Sequence, residues 1–355
     1  MNKSYFNIKK NFKESLDFQK KVLDGVENLM NAEVEEPGIS EKTLVYRDDK
    51  LSLYHYEPLA KNTVKTPILI VYALVNRETM MDLEENNSFI KNMLEAGLDI
   101  YIIDWGYPTI DDKYVSMDDY IELYINDSVD IIMEETGSKK INLLGVCQGG
   151  TFSTIYASLH PEKVKNLITM VTPIDFSHND ALLFAWGKHL DIDKMVDAYY
   201  GLVPGNMLNN VFVNLKPMAL NVNKYLDFVE DLDDPNAIND FLRMEKWIFD
   251  SPDQAGEALR QFVNDLYKDN KLIKGELVIG GRQVDLKNIK MPVLNIYAKY
   301  DHIVSPKASK EFDKYVGTKD IQTHEIPTGH IGMYVSSKSK KLVAPLIIEW
   351  LGERK

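Results

Sequence analysis

Cys147 is the only cysteine in the 355 residues of the chain, and its neighbours suit a nucleophile. Residues 145–150 read G-V-C-Q-G-G and follow the apolar run 141–144, which indicates a buried strand. Glycines on either side of a nucleophile allow the sharp strand-to-helix turn that lifts its side chain clear of a sheet. A helix beginning after Cys147 would also point its positive dipole end at the sulfur and favour a thiolate. We therefore predict a catalytic thiol, the alternative being a small buried side chain.

Two residues that suit an acid and a base follow Cys147 along the chain. Asp301 stands just after the apolar run 293–299, and His330 lies in T-G-H-I-G, past the last predicted strand. The order nucleophile, acid, histidine is that of the α/β-hydrolase fold. We predict that His330 is the general base toward the Cys147 thiol and later toward an incoming hydroxyl, with Asp301 orienting the imidazole. A structural histidine and a turn aspartate are the alternatives.

An acyl-transfer site also needs donors for a developing oxyanion, and in this fold backbone N–H groups supply them. One donor belongs to the residue after the nucleophile, which is Gln148 here. The other comes from the loop after an early strand, and we predict Val75, which follows the apolar run 68–73. The signal for Val75 is its position relative to the turn at Cys147, because its own neighbourhood reads like any strand end.

The elements that must position these residues alternate between strands and helices. An amphipathic helix is predicted at 10–31 and a hairpin from the runs 43–46 and 51–56. The alternating elements are then strand 68–73, helix 88–96, strand 100–104, helix 118–135, strand 140–146, helix 151–159, strand 164–171, strand 293–299, a helix from 306 and a strand near 323–326. Continuous apolar strands of this kind indicate a mostly parallel sheet with helices on both faces.

The alternation stops between residues 175 and 290, where helical, aromatic and acidic stretches run without clear buried strands. We predict an α/β-hydrolase fold whose core is formed by residues 1–174 and 291–355, with an inserted, mainly helical cap at 175–290. The aromatic side chains of this segment are expected to form core rather than a cofactor site.

The composition argues against several classes of function. A formal net charge of −13 disfavours nonspecific nucleic-acid binding, which depends on neutralisation of phosphates by Lys and Arg. No apolar stretch approaches the roughly 20 residues that span a bilayer, and Met1 leads into charged sequence rather than a signal core. We predict a cytoplasmic protein without a transmembrane segment. The scattered histidines and the single cysteine offer no metal-ligand spacing, so neither a metal nor a bound cofactor is expected.

Four segments together resemble polyhydroxyalkanoate synthases, and the resemblance runs over nearly the whole chain. They are YALVNR at 72–77, IDWGYP at 103–108, NLLGVCQGG at 142–150 and FLRMEKWIFDSPDQAGE at 241–257. The family's cysteine nucleophile, aspartate and histidine fall on Cys147, Asp301 and His330. The resemblance implies polymerisation of (R)-3-hydroxyacyl-coenzyme A, chiefly the 3-hydroxybutyryl ester, into a polyester, with coenzyme A as the leaving group rather than a cofactor.

Within that family, a short chain carrying the 241–257 segment is similar to the catalytic C subunit of the class III enzymes, with class IV as the nearest alternative. This resemblance implies a second synthase subunit, of the class III E type or less readily the class IV R type. It also implies a homodimer or larger assembly, located at the surface of cytoplasmic polyester granules and in contact with the growing chain.

Two other functions share the same residues. A cysteine-triad hydrolase, of the thioesterase or dienelactone-hydrolase type, would use Cys147, Asp301 and His330 but would leave the large aromatic cap unexplained. A noncatalytic granule-surface protein would leave the triad without a purpose. The thiol itself favours polymerisation, since a chain held as a thioester is more activated than the oxoester product. A serine would already hold the chain as an oxoester, and each extension would lose that driving force.

Overall fold

The computed structural model describes residues 8–32, 36–61, 64–84, 88–232 and 234–354. Contacts group the chain into two compact units. The smaller unit comprises Met1–Glu36 and Lys216–Phe249, and the larger comprises Pro37–Leu215 and Asp250–Lys355. The predicted boundaries of the cap, 175 and 290, follow a different criterion and stay a prediction.

Eight strands among the described residues form one sheet, whose spatial order is 1-2-4-3-5-6-7-8. They are β1 (Thr43–Asp48), β2 (Leu51–Tyr56), β3 (Ile68–Val71), β4 (Ile100–Asp104), β5 (Ile141–Val146), β6 (Val164–Met170), β7 (Val293–Ala298) and β8 (Ile321–Ile326). The β1–β2 and β2–β4 pairs are antiparallel, and the remaining pairs are parallel. Every residue of β3 and β5 is buried, as expected for strands covered on both faces.

The helices connect these strands close to the predicted positions. They are α1 (Ile8–Asn31), α2 (Phe89–Glu95), α3 (Asn126–Thr136), α4 (Gln148–Leu159), α5 (Leu182–His189), α6 (Ile192–Ala198), α7 (Gly205–Val213), α8 (Lys224–Glu230), α9 (Pro235–Phe249), α10 (Gly256–Gln261), α11 (Lys271–Lys274), α12 (Pro306–Lys310), α13 (Gly332–Val335) and α14 (Ala344–Gly352). Helix α3 is preceded by a π-helical stretch, Asp119–Ile125, within the single helix predicted at 118–135.

The core of the larger unit is built around α4, because its residues 148–158 are all buried. Aromatic side chains extend this core from the sheet toward the segment 262–267. Phe262 lies edge-on to both Phe152 and Phe176, with ring centroids 6.0 and 5.9 Å apart. Phe184 stacks on Phe176 and is fully buried. Phe184 thus serves as core, as predicted for the aromatic residues after 175, whereas Tyr200 and Phe249 are 83% and 71% exposed and do not.

The smaller unit is helical throughout its regular structure. Gly25 allows α1 to pack closely, since a Cβ there would lie 2.3 Å from the Cβ of Leu232. Phe228 of α8 stacks on Phe241 of α9 with centroids 3.8 Å apart. Helix α1 is amphipathic as predicted, but it leaves several apolar side chains exposed, namely Leu16, Leu23, Val26 and Met30.

Candidate active site

Cys147 occupies the turn between β5 and α4, as the glycine pattern predicts. Its backbone has φ +55° and ψ −124°, a conformation that residues other than glycine rarely adopt. The turn is held by hydrogen bonds from the Cys147 N–H to the Met170 carbonyl, 2.9 Å, and from the Gly150 N–H to the Cys147 carbonyl, 3.0 Å. Backbone strain of this kind persists only where the surroundings fix it, and it is concentrated at functional sites.

The glycines beside Cys147 are there because the backbones approach too closely for a side chain. A Cβ on Gly149 would lie 2.3 Å from the Val71 carbonyl oxygen, and one on Gly145 would lie 2.4 Å from the Gly150 Cα. Helix α4 can therefore start directly against the carboxyl end of β3. This close packing brings the first turn of α4, whose N–H groups lack intrahelical acceptors, next to the sulfur.

Asp301 and His330 meet on neighbouring loops, after β7 and β8. The Nδ1–H of His330 donates to Asp301 Oδ2 at 2.7 Å, and both side chains are almost fully buried. The other oxygen of Asp301 accepts hydrogen bonds from the N–H groups of Ile303, 2.9 Å, and Val304, 3.0 Å. The carboxylate is thus fixed on both sides, and it fixes the imidazole in turn.

Nδ1 of His330 is thus occupied, and the imidazole lies close enough to Cys147 for the two side chains to interact electrostatically. Burial alone would lower the pKa of His330, because a buried imidazolium is poorly solvated. The charge of Asp301 acts in the opposite direction, and together with the charge of Cys147 and the hydrogen bond to Asp301 it outweighs burial, so that the pKa of His330 rises to about 10. The site therefore favours a protonated imidazole close to Cys147.

Val75 and Gln148, the predicted oxyanion donors, lie beside Cys147 in the same cavity. Gln148 is the first residue of α4, where backbone N–H groups have no intrahelical acceptor. Its side chain accepts a hydrogen bond from the Leu74 N–H at 3.1 Å, which ties the loop after β3 to the start of α4. The structure thus brings the five predicted site residues together, and their catalytic roles remain predictions.

An apolar cavity of about 620 Å³ reaches Cys147. Its volume falls within the roughly 300–1,000 Å³ that ligand pockets occupy. Most of its wall comes from the apolar side chains of helices α5, α6, α7 and α10 and of the segment 262–267, all within the larger unit. Of the five predicted site residues, Val75, Cys147 and Gln148 line this cavity.

Sequence reasoning missed two tyrosines beside the sulfur. The hydroxyls of Tyr72 and Tyr334 lie 3.4 Å apart, and both side chains are buried. Burial is the main cause that raises the pKa of each phenol, and the charge of Cys147 acts in the same direction on both. Both phenols thus stay protonated, and the Tyr72 hydroxyl donates to that of Tyr334. Tyr334 lies in α13, which begins two residues after His330, and this closeness in sequence was an available signal.

The residues that the structure describes include neither a membrane-spanning helix nor a cluster of metal ligands. No helix in that part of the chain is long and apolar enough to cross a membrane. No group of three or more His, Cys, Asp or Glu side chains there is arranged to hold a metal ion.

Two family models match the chain. One, described as alpha/beta hydrolase fold, covers residues 66–336, and the other, described as Poly-beta-hydroxybutyrate polymerase (PhaC) N-terminus, covers residues 34–93. Among solved structures, the monoacylglycerol lipase of Paleococcus ferrophilus matches with a TM-score of 0.51 at 16% identity, covering 86% of this chain and 100% of its own. At that identity the likeness concerns the fold alone, and it confirms the α/β-hydrolase prediction.

Similarity to curated proteins is much higher. The poly(3-hydroxyalkanoate) polymerase subunit PhaC of Thiocystis violacea is 51% identical over 342 residues, which make up 96% of either chain. The protein of the same name from Synechocystis sp. is 50% identical over 356 residues, 98% of this chain and 94% of that one. The chain belongs to the poly(3-hydroxyalkanoate) polymerases, acyltransferase-type enzymes, and within them it fits the class III catalytic subunit.

Proposed function

We propose that this polymerase holds the growing polyester as a thioester on Cys147 and extends it with (R)-3-hydroxyacyl-coenzyme A, chiefly the 3-hydroxybutyryl ester. One observation carries the proposal: Cys147 lies at the apolar cavity and close to a buried His330, whose Nδ1 donates to Asp301. Coenzyme A enters as part of the substrate and leaves as a free thiol, so the reaction needs no resident cofactor.

In the first step, the Cys147 thiolate attacks the thioester carbonyl of the incoming acyl-coenzyme A. The Val75 and Gln148 N–H groups donate to the oxyanion that develops. The tetrahedral intermediate collapses by breaking its bond to the coenzyme A sulfur, which takes the proton from the His330 imidazolium and leaves as a thiol. The acyl group stays on Cys147, and His330 is left neutral.

In the second step, neutral His330 accepts the proton of a 3-hydroxyl as that oxygen attacks the thioester on Cys147. An ester bond forms, the carbon–sulfur bond breaks, and the thiolate and imidazolium pair is restored. Because a thioester is more activated than the oxoester formed, each extension runs downhill. The apolar wall of the cavity excludes water, which would otherwise cleave the thioester.

The proposal is tested by incubating the purified protein with 3-hydroxybutyryl-coenzyme A and measuring coenzyme A, insoluble polymer and free hydroxy acid together. We expect coenzyme A and polymer in matching amounts, and a mass increase on the peptide containing Cys147 in quenched samples. A hydrolase would release free 3-hydroxybutyrate without polymer. A noncatalytic granule-surface protein would release no coenzyme A at all.

We further propose that the chain works with a second subunit in an assembly of two or more copies, at granule surfaces in the cytoplasm. The class III E type is the favoured partner and the class IV R type the alternative. The apolar side chains that α1 leaves exposed support a protein or granule contact, since Leu23 and Met30 are 70% and 82% exposed.

The partner proposal is tested by titrating the second subunit into the catalytic chain, with light scattering to give the mass of the complex. We expect the initial rate of coenzyme A release to rise steeply with partner concentration. Full activity of the isolated chain as a monomer, unchanged by either type of subunit, would contradict the proposal and leave the chemistry at Cys147 untouched.

A further inference from the structure

The loop that carries Val75 is held by side chains far away in sequence. The Nε2 of Gln254 donates to the Leu74 carbonyl at 2.8 Å and to the Pro252 carbonyl at 3.2 Å. The Leu74 N–H, in turn, donates to Gln148 Oε1 at 3.1 Å. Both glutamine side chains are buried, so these hydrogen bonds form away from competing water. The backbone N–H and the carbonyl of Leu74 are thus both held by hydrogen bonds to side-chain amides.

The contact from Gln254 acts directly on the direction of the Val75 N–H. The Leu74 carbonyl and the Val75 N–H belong to one planar peptide unit, and the chain has no cis peptide bond among the described residues. In a trans peptide the oxygen and the hydrogen point in opposite directions. A hydrogen bond that fixes the Leu74 oxygen on one side therefore fixes the Val75 hydrogen on the other.

The residue after Val75 is anchored by the same distant segment. Asn76 has φ +58°, and its Nδ2 donates to the hydroxyl of Ser251 at 2.5 Å. That hydroxyl donates to the buried Asn209 of α7 at 2.9 Å. Val75 thus lies between two residues that the segment 251–254 holds by hydrogen bonds, and it lines the cavity together with Gln254 and Cys147.

We propose that Gln254 is a positioning residue of the oxyanion hole. Together with the Gln148 side chain, Gln254 directs the Val75 N–H at the carbonyl that Cys147 attacks. The inference rests on the acyl-transfer mechanism proposed above. It gives the segment 251–254 a role in the chemistry, although it lies in the part of the sequence predicted as cap. Gln254 touches neither substrate nor sulfur in this role and acts through the Leu74–Val75 peptide.

The test compares Gln254→Met, which keeps the length of the side chain but removes the donor, with the wild-type enzyme. Rapid-quench measurements with 3-hydroxybutyryl-coenzyme A give the acylation rate and KM. We expect acylation to slow by about 10- to 100-fold, because loss of an entire oxyanion donor costs about 10²–10³ in kcat and a misdirected donor retains part of its effect. KM should change by less than about threefold, since the ground-state carbonyl needs the donor least.

Alkylation of Cys147 by iodoacetamide separates this effect from general damage, because alkylation needs the thiolate but no oxyanion hole. The Gln254→Met rate should stay within about twofold of the wild-type rate. Gln261 offers a matched control, since its Oε1 accepts from the Met117 N–H at 2.6 Å without lining the cavity. Gln261→Met should lower the melting temperature and leave acylation unchanged.

A double-mutant cycle adds a third measurement. Gln148→Met should slow acylation by itself, and Gln148→Met combined with Gln254→Met should cost less than the product of the two single effects, since both hold the same backbone residue. Gln148→Met carries the test alone if Gln254→Met does not fold. Acylation by Gln254→Met within twofold of the wild-type rate, or an equal loss in alkylation, would overturn the inference. Activity of Cys147→Ala would instead overturn the acyl-transfer mechanism beneath it.

Discussion

The reacting side of the site and the wall of its cavity are built in different ways. Cys147, Asp301 and His330 stand on short loops at the carboxyl ends of strands, and named hydrogen bonds fix each of them. The wall opposite consists mainly of apolar helix side chains, which hold their places by packing. Hydrogen bonds are directional and packing is not. We therefore expect the chemistry to depend on a few atoms of the loops and substrate preference on many atoms of the wall.

Replacement of the sulfur should give the largest effect on the reacting side. Cys147→Ala should reduce coenzyme A release by about 10⁶-fold, to background, as loss of the nucleophile does in a comparable triad. The fold should survive, since one small side chain is removed at a turn that glycines and backbone hydrogen bonds maintain. Release of coenzyme A and the melting temperature are measured on the same sample.

Cys147→Ser is the matched variant, because it keeps a nucleophile at the same turn. We expect it to acylate slowly and then to stall, since its acyl-enzyme is an oxoester that the next hydroxyl cannot attack downhill. Polymer formation by Cys147→Ala at more than a trace would contradict the covalent mechanism.

Removal of the base His330 and removal of its orienting acid Asp301 should impair different steps of the reaction. His330→Ala should lose about 10²- to 10⁴-fold in acylation at neutral pH, the usual cost of removing a general base. Asp301→Ala should keep slow acylation, since the imidazole and the start of α4 remain, but should elongate poorly because the imidazole is no longer oriented. Rapid-quench counting of enzyme-bound acyl groups checks both. Equal acylation by the two variants would disprove this division of roles.

Changes in the cavity wall should alter substrate preference with smaller effects on rate. Leu259→Ala enlarges the cavity and Ala185→Leu narrows it, and neither side chain takes part in the hydrogen bonds at Cys147. One methylene in an apolar pocket is worth roughly 10- to 200-fold in discrimination. We expect the two variants to shift the ratio of kcat/KM for 3-hydroxyhexanoyl- over 3-hydroxybutyryl-coenzyme A in opposite directions. Shifts in the same direction would show that the wall responds as a whole.

The raised pKa of His330 predicts the smallest effect, a pH-dependent contribution to stability. A histidine whose pKa is raised from 6.5 to about 10 stabilises the folded state fully below about pH 6.5, and this contribution is lost as the pH rises through about 10. The difference in unfolding free energy between the wild type and His330→Gln should therefore shrink steadily over that range. Urea denaturation at several pH values measures it. Cys147→Ala removes one cause of the raised pKa of His330. In the Cys147→Ala protein, the contribution of His330 to stability should therefore be lost at a lower pH.

The same comparison explains what the sequence could predict. The turn at Cys147 was predictable because its backbone tolerates no side chain at Gly145 or Gly149, and such a constraint leaves a pattern in the sequence. Asp301 and His330 were predictable because parallel strands bring their carboxyl ends to one edge of the sheet. The β1–β2 hairpin and the central strands follow from alternation and apolar runs in the same way.

The cavity wall was not predictable in this sense. An apolar helical pattern between 182 and 213 indicates burial, but it does not say against which surface each helix packs. The contact between Gln254 and Leu74 depends on long-range tertiary placement, and neither residue type indicates that contact in the sequence. The π-helical stretch Asp119–Ile125 was invisible for another reason, since its apolar spacing fits an α-helix as well.

Because Cys147 is the only cysteine, the free enzyme and the acylated enzyme should differ in their sensitivity to oxidation. Cys147 is partly accessible, and no second cysteine is available to form a protective internal disulfide with it. Peroxide can therefore take the unoccupied Cys147 sulfur past sulfenic acid to irreversible oxidation states. A chain esterified to the sulfur blocks that route. We expect peroxide to inactivate the free enzyme much faster than enzyme preloaded with acyl groups, so that supply of monomer also protects the catalyst.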